Sequence, residues 1–318
     1  VKNLLRLLGR RLIALPFMAL GAVLLVFFLM SFSKYDPAVA ALGENATAEQ
    51  LAAYRHEMGF DLPWWRQFVN YLGGLLHGDL GVYGVNKDSV AARIADSLPI
   101  TLQLTFVGLL IAVVFAVVFG VLAALYRDTW VDQAIRVVSI ISIATPSFWL
   151  GVLLIYVMQI QLGLLPGSGE LVPFHVDPGA WLSRIIMPAF ALGLPVAGQM
   201  TRIIRTSMVE ELDKDYVRTA IGAGVPKPTV VVRNVFRNAL ITPITVLGMK
   251  IGYLLGGAIV IEVIFQLPGM GTVMFEGING NEPTLVQGVV LVVALAFIVI
   301  NIIVDLLYVL INPRIRTV

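Results

Sequence analysis

Lys250 and Glu262 stand inside an otherwise uncharged apolar stretch that runs from residue 239 to about residue 263. A charge at the centre of a bilayer-crossing helix costs about 2.5–3.5 kcal/mol on insertion scales, so such a group faces protein or a water-filled cavity. The two are twelve positions apart, about 18 Å along a straight helix, and cannot pair within it. Three readings fit Lys250: holding carboxylate or backbone groups of a solute on a polar route, closing a structural pair or hydrogen bond across a subunit interface, or snorkelling of its long stem to the membrane surface. Glu262, just before Pro268-Gly269-Met270-Gly271, fits either an anchor for a helix-end loop or a wet interfacial carboxylate. Gln103, Gln199 and Asn301 are the uncharged candidates for the same route, with Asn301 and Asp305 sharing a face at i and i+4.

Bond-making chemistry finds no comparable cluster. The 318 residues contain no cysteine, so there is no thiolate nucleophile or thiolate metal site. His56, His77 and His175 are scattered without ligand spacing, so no metal site is expected. No HExxH, paired acids or Ser–His combination falls within an apolar stretch, and no Gly-x-x-x-x-Gly-Lys-Ser/Thr run cradles a phosphate. The residue types fit binding rather than catalysis.

The elements that would position these residues are membrane helices. Hydrophobic residues make up 58% of the chain and charged residues 13%, against about 25% charged in ordinary globular domains. Charges vanish over whole windows: 12–33, 97–126, 137–169, 185–201 and 283–304. A bilayer core about 30 Å thick needs about 20 apolar residues in a helix. The expectation is an all-α polytopic membrane protein with six spans, at about 10–32, 99–125, 133–161, 184–205, 239–263 and 285–310. Pro146 should bend the third, and Pro188 and Pro195 should interrupt the fourth. The first reads as a retained helix rather than a cleaved signal. Residues 1–33 then form a cytosolic tail and first span, 34–98 an extracytoplasmic segment, and 99–318 a five-helix core with a cytosolic loop at 207–238.

Basic residues near span ends give the orientation. Lys2, Arg6, Arg10 and Arg11 precede the first span, Arg127 and Arg136 flank the turn near 127, and Arg314 and Arg316 follow the last span. Residues 202–237 hold seven basic and four acidic side chains, whereas 34–96 hold five basic and eight acidic; Glu170 and Asp177 stand in the 162–183 loop, which has no basic residue. Both termini are expected inside.

Between spans four and five, Met208, Leu212, Tyr216, Val217 and Ala220 recur at helical steps. Gly222 and Gly224 permit a close approach or positive φ, and Pro226 and Pro228 forbid a continuous helix. Helix, sharp turn, helix is the expected form: a rigid projection that enters a partner's groove. A solvated loop made basic by the orientation rule is the alternative. Gly248, Gly252 and Gly256 recur every fourth residue and suit a close helix–helix seam.

The run Asp215-Tyr216-Val217-Arg218-Thr219-Ala220, with Gly224, Arg237-Asn238-Ala239-Leu240 and Pro243, resembles the cytosolic signature of inner-membrane permease subunits of bacterial dipeptide/oligopeptide ABC importers; Thr242 stands where that family often has Leu. Met58-Gly59-Phe60-Asp61, Gly78-Asp79-Leu80-Gly81, Pro146-Ser147-Phe148-Trp149 and Phe265 with Pro268-Gly269 extend the likeness over nearly the whole chain. The resemblance implies a type I permease fold in the bacterial inner membrane. It further implies a second homologous permease, two ATP-binding subunits (or one fused ATPase) holding ATP and Mg2+, and an extracytoplasmic peptide-binding protein; no cofactor would sit in this chain. Asp215, Tyr216, Arg218, Ala220, Gly222, Gly224 and Pro226 would form the coupling contact with the ATPase. Gln103, Gln199, Lys250, Glu262 and Asn301 would be path candidates for a peptide cargo. Relatives also move nickel complexes, glutathione, haem or sugars. An ion-coupled secondary transporter is the alternative of another class, disfavoured because matched halves and mid-span carboxylates are missing. Lipid is an expected neighbour and nucleic acid is not.

Overall fold

The computed structural model describes the backbone of residues 2–30, 32, 36–169 and 171–311, and the side chains of 13, 16–30, 32, 36–169 and 171–304. The side chains of Lys2, Arg6, Arg10, Arg11, Lys34, Glu170, Asp305, Arg314 and Arg316, which entered the orientation and pairing arguments, lie outside the described residues. The chain forms two compact units, one of residues 1–101 and 266–299, the other of 102–265 and 300–318.

In the first unit α1 (Lys2–Met30) leads through α2 (Pro37–Leu42), α3 (Ala48–Met58) and α4 (Trp64–Leu76) to a short antiparallel pair, β1 (Val82–Tyr83) with β2 (Asp88–Ser89). This pair is a small addition to the all-α expectation. Asp36 caps α2 through the Ala38 amide and pairs with Arg55 of α3, whose hydrogen bond holds the Asp36 carboxyl below the usual carboxylate range. Thr47 and Gln50 close a capping box at the start of α3. Two apolar clusters follow. Val90 and Ile94 at the start of α5 (Val90–Leu125) pack with Met270 and Val273 of α13 (Met270–Asn279) and Leu285 and Val289 of α14 (Pro283–Ile311). Ala19, Val23 and Phe27 of α1 pack with Leu291 and with Phe68, Tyr71 and Leu75 of α4.

In the second unit α8 (Pro178–Leu212) is central, packed by α6 (Trp130–Ala144), α7 (Ser147–Leu154, continuing in wide π-type turns to Gln161) and α12 (Ile241–Phe265). Its Ile185, Leu192, Met200 and Met208 are fully buried, as are Leu254, Ile261 and Phe265 of α12.

Among the described residues four helices, α5, α8, α12 and α14, are long and apolar enough to cross a membrane, and the bent pair α6 and α7, taken as one span, brings the count to five. The described apolar part of α1, Pro16–Met30, falls short of a span by itself.

The prolines differ in their effect. Pro188 and Pro195 do not interrupt the fourth span: α8 runs unbroken for 35 residues. Each proline removes one backbone hydrogen bond, but the helix continues through both, with Pro188 buried and α6, α7 and α12 packed on α8. The third span bends at Pro146 as expected, by 99° across a break between Ala144 and Ser147. Pro146 drives Thr145 out of the helical region, to ψ 117°, and the Thr145 hydroxyl donates to the Ile141 carbonyl at 2.7 Å.

Candidate coupling elbow and polar cleft

The elbow begins where α8 ends. α9 (Asp215–Gly222) follows after a tight reversal, then a turn, then α10 (Lys227–Val230), whose wide-turn continuation to Phe236 and short α11 (Arg237–Ala239) lead into α12. Its base is pinned from below by apolar side chains: Val217, Val230, Val231, Val235 and Ala239 are all buried. A polar knot secures the same base. Glu211, 7% exposed, accepts from the Tyr216 hydroxyl at 2.9 Å and pairs with Lys214, and the Asn238 amide donates to the Tyr216 oxygen at 3.5 Å. Burial raises the Tyr216 hydroxyl above its ordinary pKa, and the neighbouring Glu211 carboxylate adds to the shift.

The tip is the opposite. Every residue from 221 to 229 is exposed, and Ile221 and Val225 keep 42% and 38% of their surface bare. The turn closes by Gly224 N–H to the Ile221 carbonyl at 3.0 Å and Val225 N–H to the Ala220 carbonyl at 3.1 Å, with Gly224 at φ +87°. That left-handed conformation suits glycine and strains other residues. Gly222, in contrast, stays helical at the end of α9. Arg218 and Asp215 on α9 are 75% and 99% exposed and 3.9 Å apart, a contact of little energetic weight. Pro226 caps α10 from outside.

A second pinning point was not read from the sequence. Asp132, fully buried at the start of α6, receives both arms of the Arg205 guanidinium at 2.6 Å and the Asp128 backbone N–H at 3.1 Å. Arg136 lies 3.5 Å from it, and Arg127 pairs with Asp213 at 2.9 Å. These bonds tie the turn after α5 to the end of α8, beneath the elbow. The signal available was an acidic residue flanked by Arg127 and Arg136 in a short turn; its partner, 73 positions away, carried none.

The path candidates all fall in the second unit, in different settings. Gln199 lines an open cleft of about 450 Å³ with Arg202, Thr206, Ser207 and Glu210 of α8 and Thr242 of α12. Gln103 accepts from the Trp181 indole N–H at 2.7 Å, a contact between α5 and α8. The Lys250 ammonium sits 5.6 Å from the Tyr253 ring, one turn on. Glu262 is fully buried and Asn301 half-buried. Among the glycines, Gly248 faces Val304 so closely that an added Cβ would come within 2.1 Å of its Cγ1, whereas Gly256 meets nothing within 4 Å. Gly252 is half-buried between them.

Several membrane-length helices, a polar cleft along α8 and a bare-tipped elbow at its end fit a membrane transport subunit. Two family models cover the chain: residues 116–317 match the binding-protein-dependent transport system inner membrane component, and residues 4–105 match the N-terminal part of that membrane component. Among the relatives is a candidate peptide transport system permease protein of Brucella abortus, 37% identical over 303 residues that cover 95% of this chain and 96% of the relative. The glutathione transport system permease protein GsiC of Escherichia coli is 37% identical over 292 residues, 92% of each chain. The chain belongs to the binding-protein-dependent transport system inner-membrane component family: it is a multi-pass membrane protein, the permease component of an ABC importer.

Proposed function

We propose that this chain, with a second permease subunit, forms the path for di- or oligopeptides delivered by an extracytoplasmic binding protein, and that its elbow seats in ATP-hydrolysing partners that hold ATP and Mg2+. The observation that carries the reading is the contrast within the elbow: an exposed tip from 221 to 229, bearing Ile221 and Val225, on a base fixed by the Glu211–Tyr216 knot and the Asp132–Arg205 clamp. A tip bare of partners and a base that cannot swing are what a force-transmitting contact requires. Asp215, Tyr216, Arg218, Ala220, Gly222, Gly224 and Pro226 would make that contact, and Gln199, with Gln103, Lys250, Glu262 and Asn301, would border the route. Peptide is favoured as cargo by the names of the relatives; glutathione, itself a tripeptide, is the second cargo, from the name of one of them. Six spans with both termini on the cytoplasmic side agree with the distribution of basic residues.

Arg218→Glu reverses an exposed charge on α9, and Gly224→Val forces a β-branched residue to φ +87°. In the assembled transporter both are expected to leave the protein in the membrane while uptake falls well below the ATP hydrolysis that accompanies it. Uptake and hydrolysis that stay coupled as in the unmodified protein in both variants would refute docking at this tip.

A further inference from the structure

α4 carries three separate stripes, and among the described residues only one of them is packed against another helix. Phe68, Tyr71 and Leu75 pack onto α1, with Phe68 and Tyr71 each 5.4 Å from the ring of Phe27, one turn before the end of α1. Trp65, Val69, Leu72 and Leu76 recur at i, i+4, i+7 and i+11 about a quarter-turn round the helix, and three of them are bare: Trp65 51%, Val69 58% and Leu76 87% exposed. Arg66, Asn70, Gly73 and His77 repeat the same spacing on the next edge, all exposed. An apolar stripe this regular beside a polar one is not a surface that water stabilises.

What covers it follows from where α4 sits. The surface of α1 away from that contact is apolar and bare, with Phe17 71%, Leu25 57%, Phe28 49% and Leu29 58% exposed, as for a helix surrounded by acyl chains. α4 is fastened at the end of that helix, the depth at which headgroups meet hydrocarbon. Indole rings favour that boundary. Arg66 lies over the Trp65 ring at 5.2 Å and has no carboxylate partner among the described residues, so its guanidinium is left for an anionic group at the same level.

We infer that α4 is an interfacial helix whose Trp65–Val69–Leu72–Leu76 edge is embedded in phospholipid, with Arg66 at the phosphates, in the leaflet where α1 ends. This holds whatever cargo the transporter carries. It makes the lipid surface a binding partner of the segment after α1, fixing the height of that segment above the bilayer.

The chain has no cysteine, so Val69→Cys, Leu76→Cys and Asn70→Cys each add one labelling site to it, at exposed positions where folding is undisturbed. Each variant, purified with its transporter partners in phospholipid nanodiscs and corrected for the unsubstituted complex, takes a nitroxide for power-saturation measurements with oxygen and with a water-soluble nickel chelate. Labels at 69 and 76 are expected to be relaxed by oxygen, shielded from nickel, and to lie about 5–10 Å below the phosphates, with the label at 70 reached by nickel. If 69 and 76 are as open to nickel as 70, the edge stands in water and the inference fails. If they are shielded from both reagents, a protein covers the edge, and the inference fails equally.

Discussion

Asp132 is a carboxylate with no exposed surface held by one guanidinium on both oxygens. Removing its charge as Asp132→Asn leaves Arg205, 19% exposed, without the carboxylate that accepts from both its arms. Breaking one half of a buried pair costs about 3–5 kcal/mol, whereas replacing both halves by apolar residues of similar volume is often neutral. Thermal unfolding of the purified chain is expected to show a large loss for Asp132→Asn and a substantial recovery for Asp132→Leu with Arg205→Met. A single variant that melts with the unmodified protein would remove the clamp from the account. The pair escaped the sequence reading because attraction between residues 73 positions apart leaves no local trace. The polar candidates were legible one by one, since any such residue in an uncharged window stands out. What each touches was not: only the fold turns Gln103 towards the Trp181 indole and Lys250 towards the Tyr253 ring.

Among the elements, the glycine series of α12 separates into unlike members. Gly248 sits where α12 and residue 304 of α14 nearly touch, and Gly248→Leu must push Val304 aside. Overpacking of this kind costs about 1–3 kcal/mol, while Gly256→Ala, with nothing within 4 Å, gains about 0.5–1 kcal/mol of helix propensity. Melting of the two variants in the same detergent should therefore move in opposite directions; equal shifts would mean that α12 does not pack as described. Periodicity marks the spacing of small residues but not which of them faces a neighbour. The apolar windows placed α12 and α14 within a few residues of their ends, because loss of charge over about 20 residues has few physical explanations. The prolines were harder. The same residue type breaks the helix at Pro146 and is absorbed at Pro188 and Pro195.

For the whole molecule, the pairing of residues 36–101 with 266–299 in one unit was hidden, since it rests on contacts such as the Thr101 hydroxyl accepting the Met270 N–H at 2.9 Å. The proposed orientation, by contrast, rests on charge counts alone. It makes a direct prediction: Thr47→Cys and Lys227→Cys, both at exposed positions, should react with a membrane-impermeant maleimide from opposite faces of the membrane, Lys227→Cys from the cytosolic one. Reaction of both from one face would overturn the proposed orientation.

The unbroken course of α8 has a mechanical consequence. Its 35 residues measure about 52 Å, some 20 Å more than the hydrocarbon thickness. The Arg205–Asp132 clamp and the cleft from Gln199 to Glu210 both fall in the C-terminal half of that length, next to the elbow, so a push received by the elbow would meet the polar cleft before it met the rest of the helix.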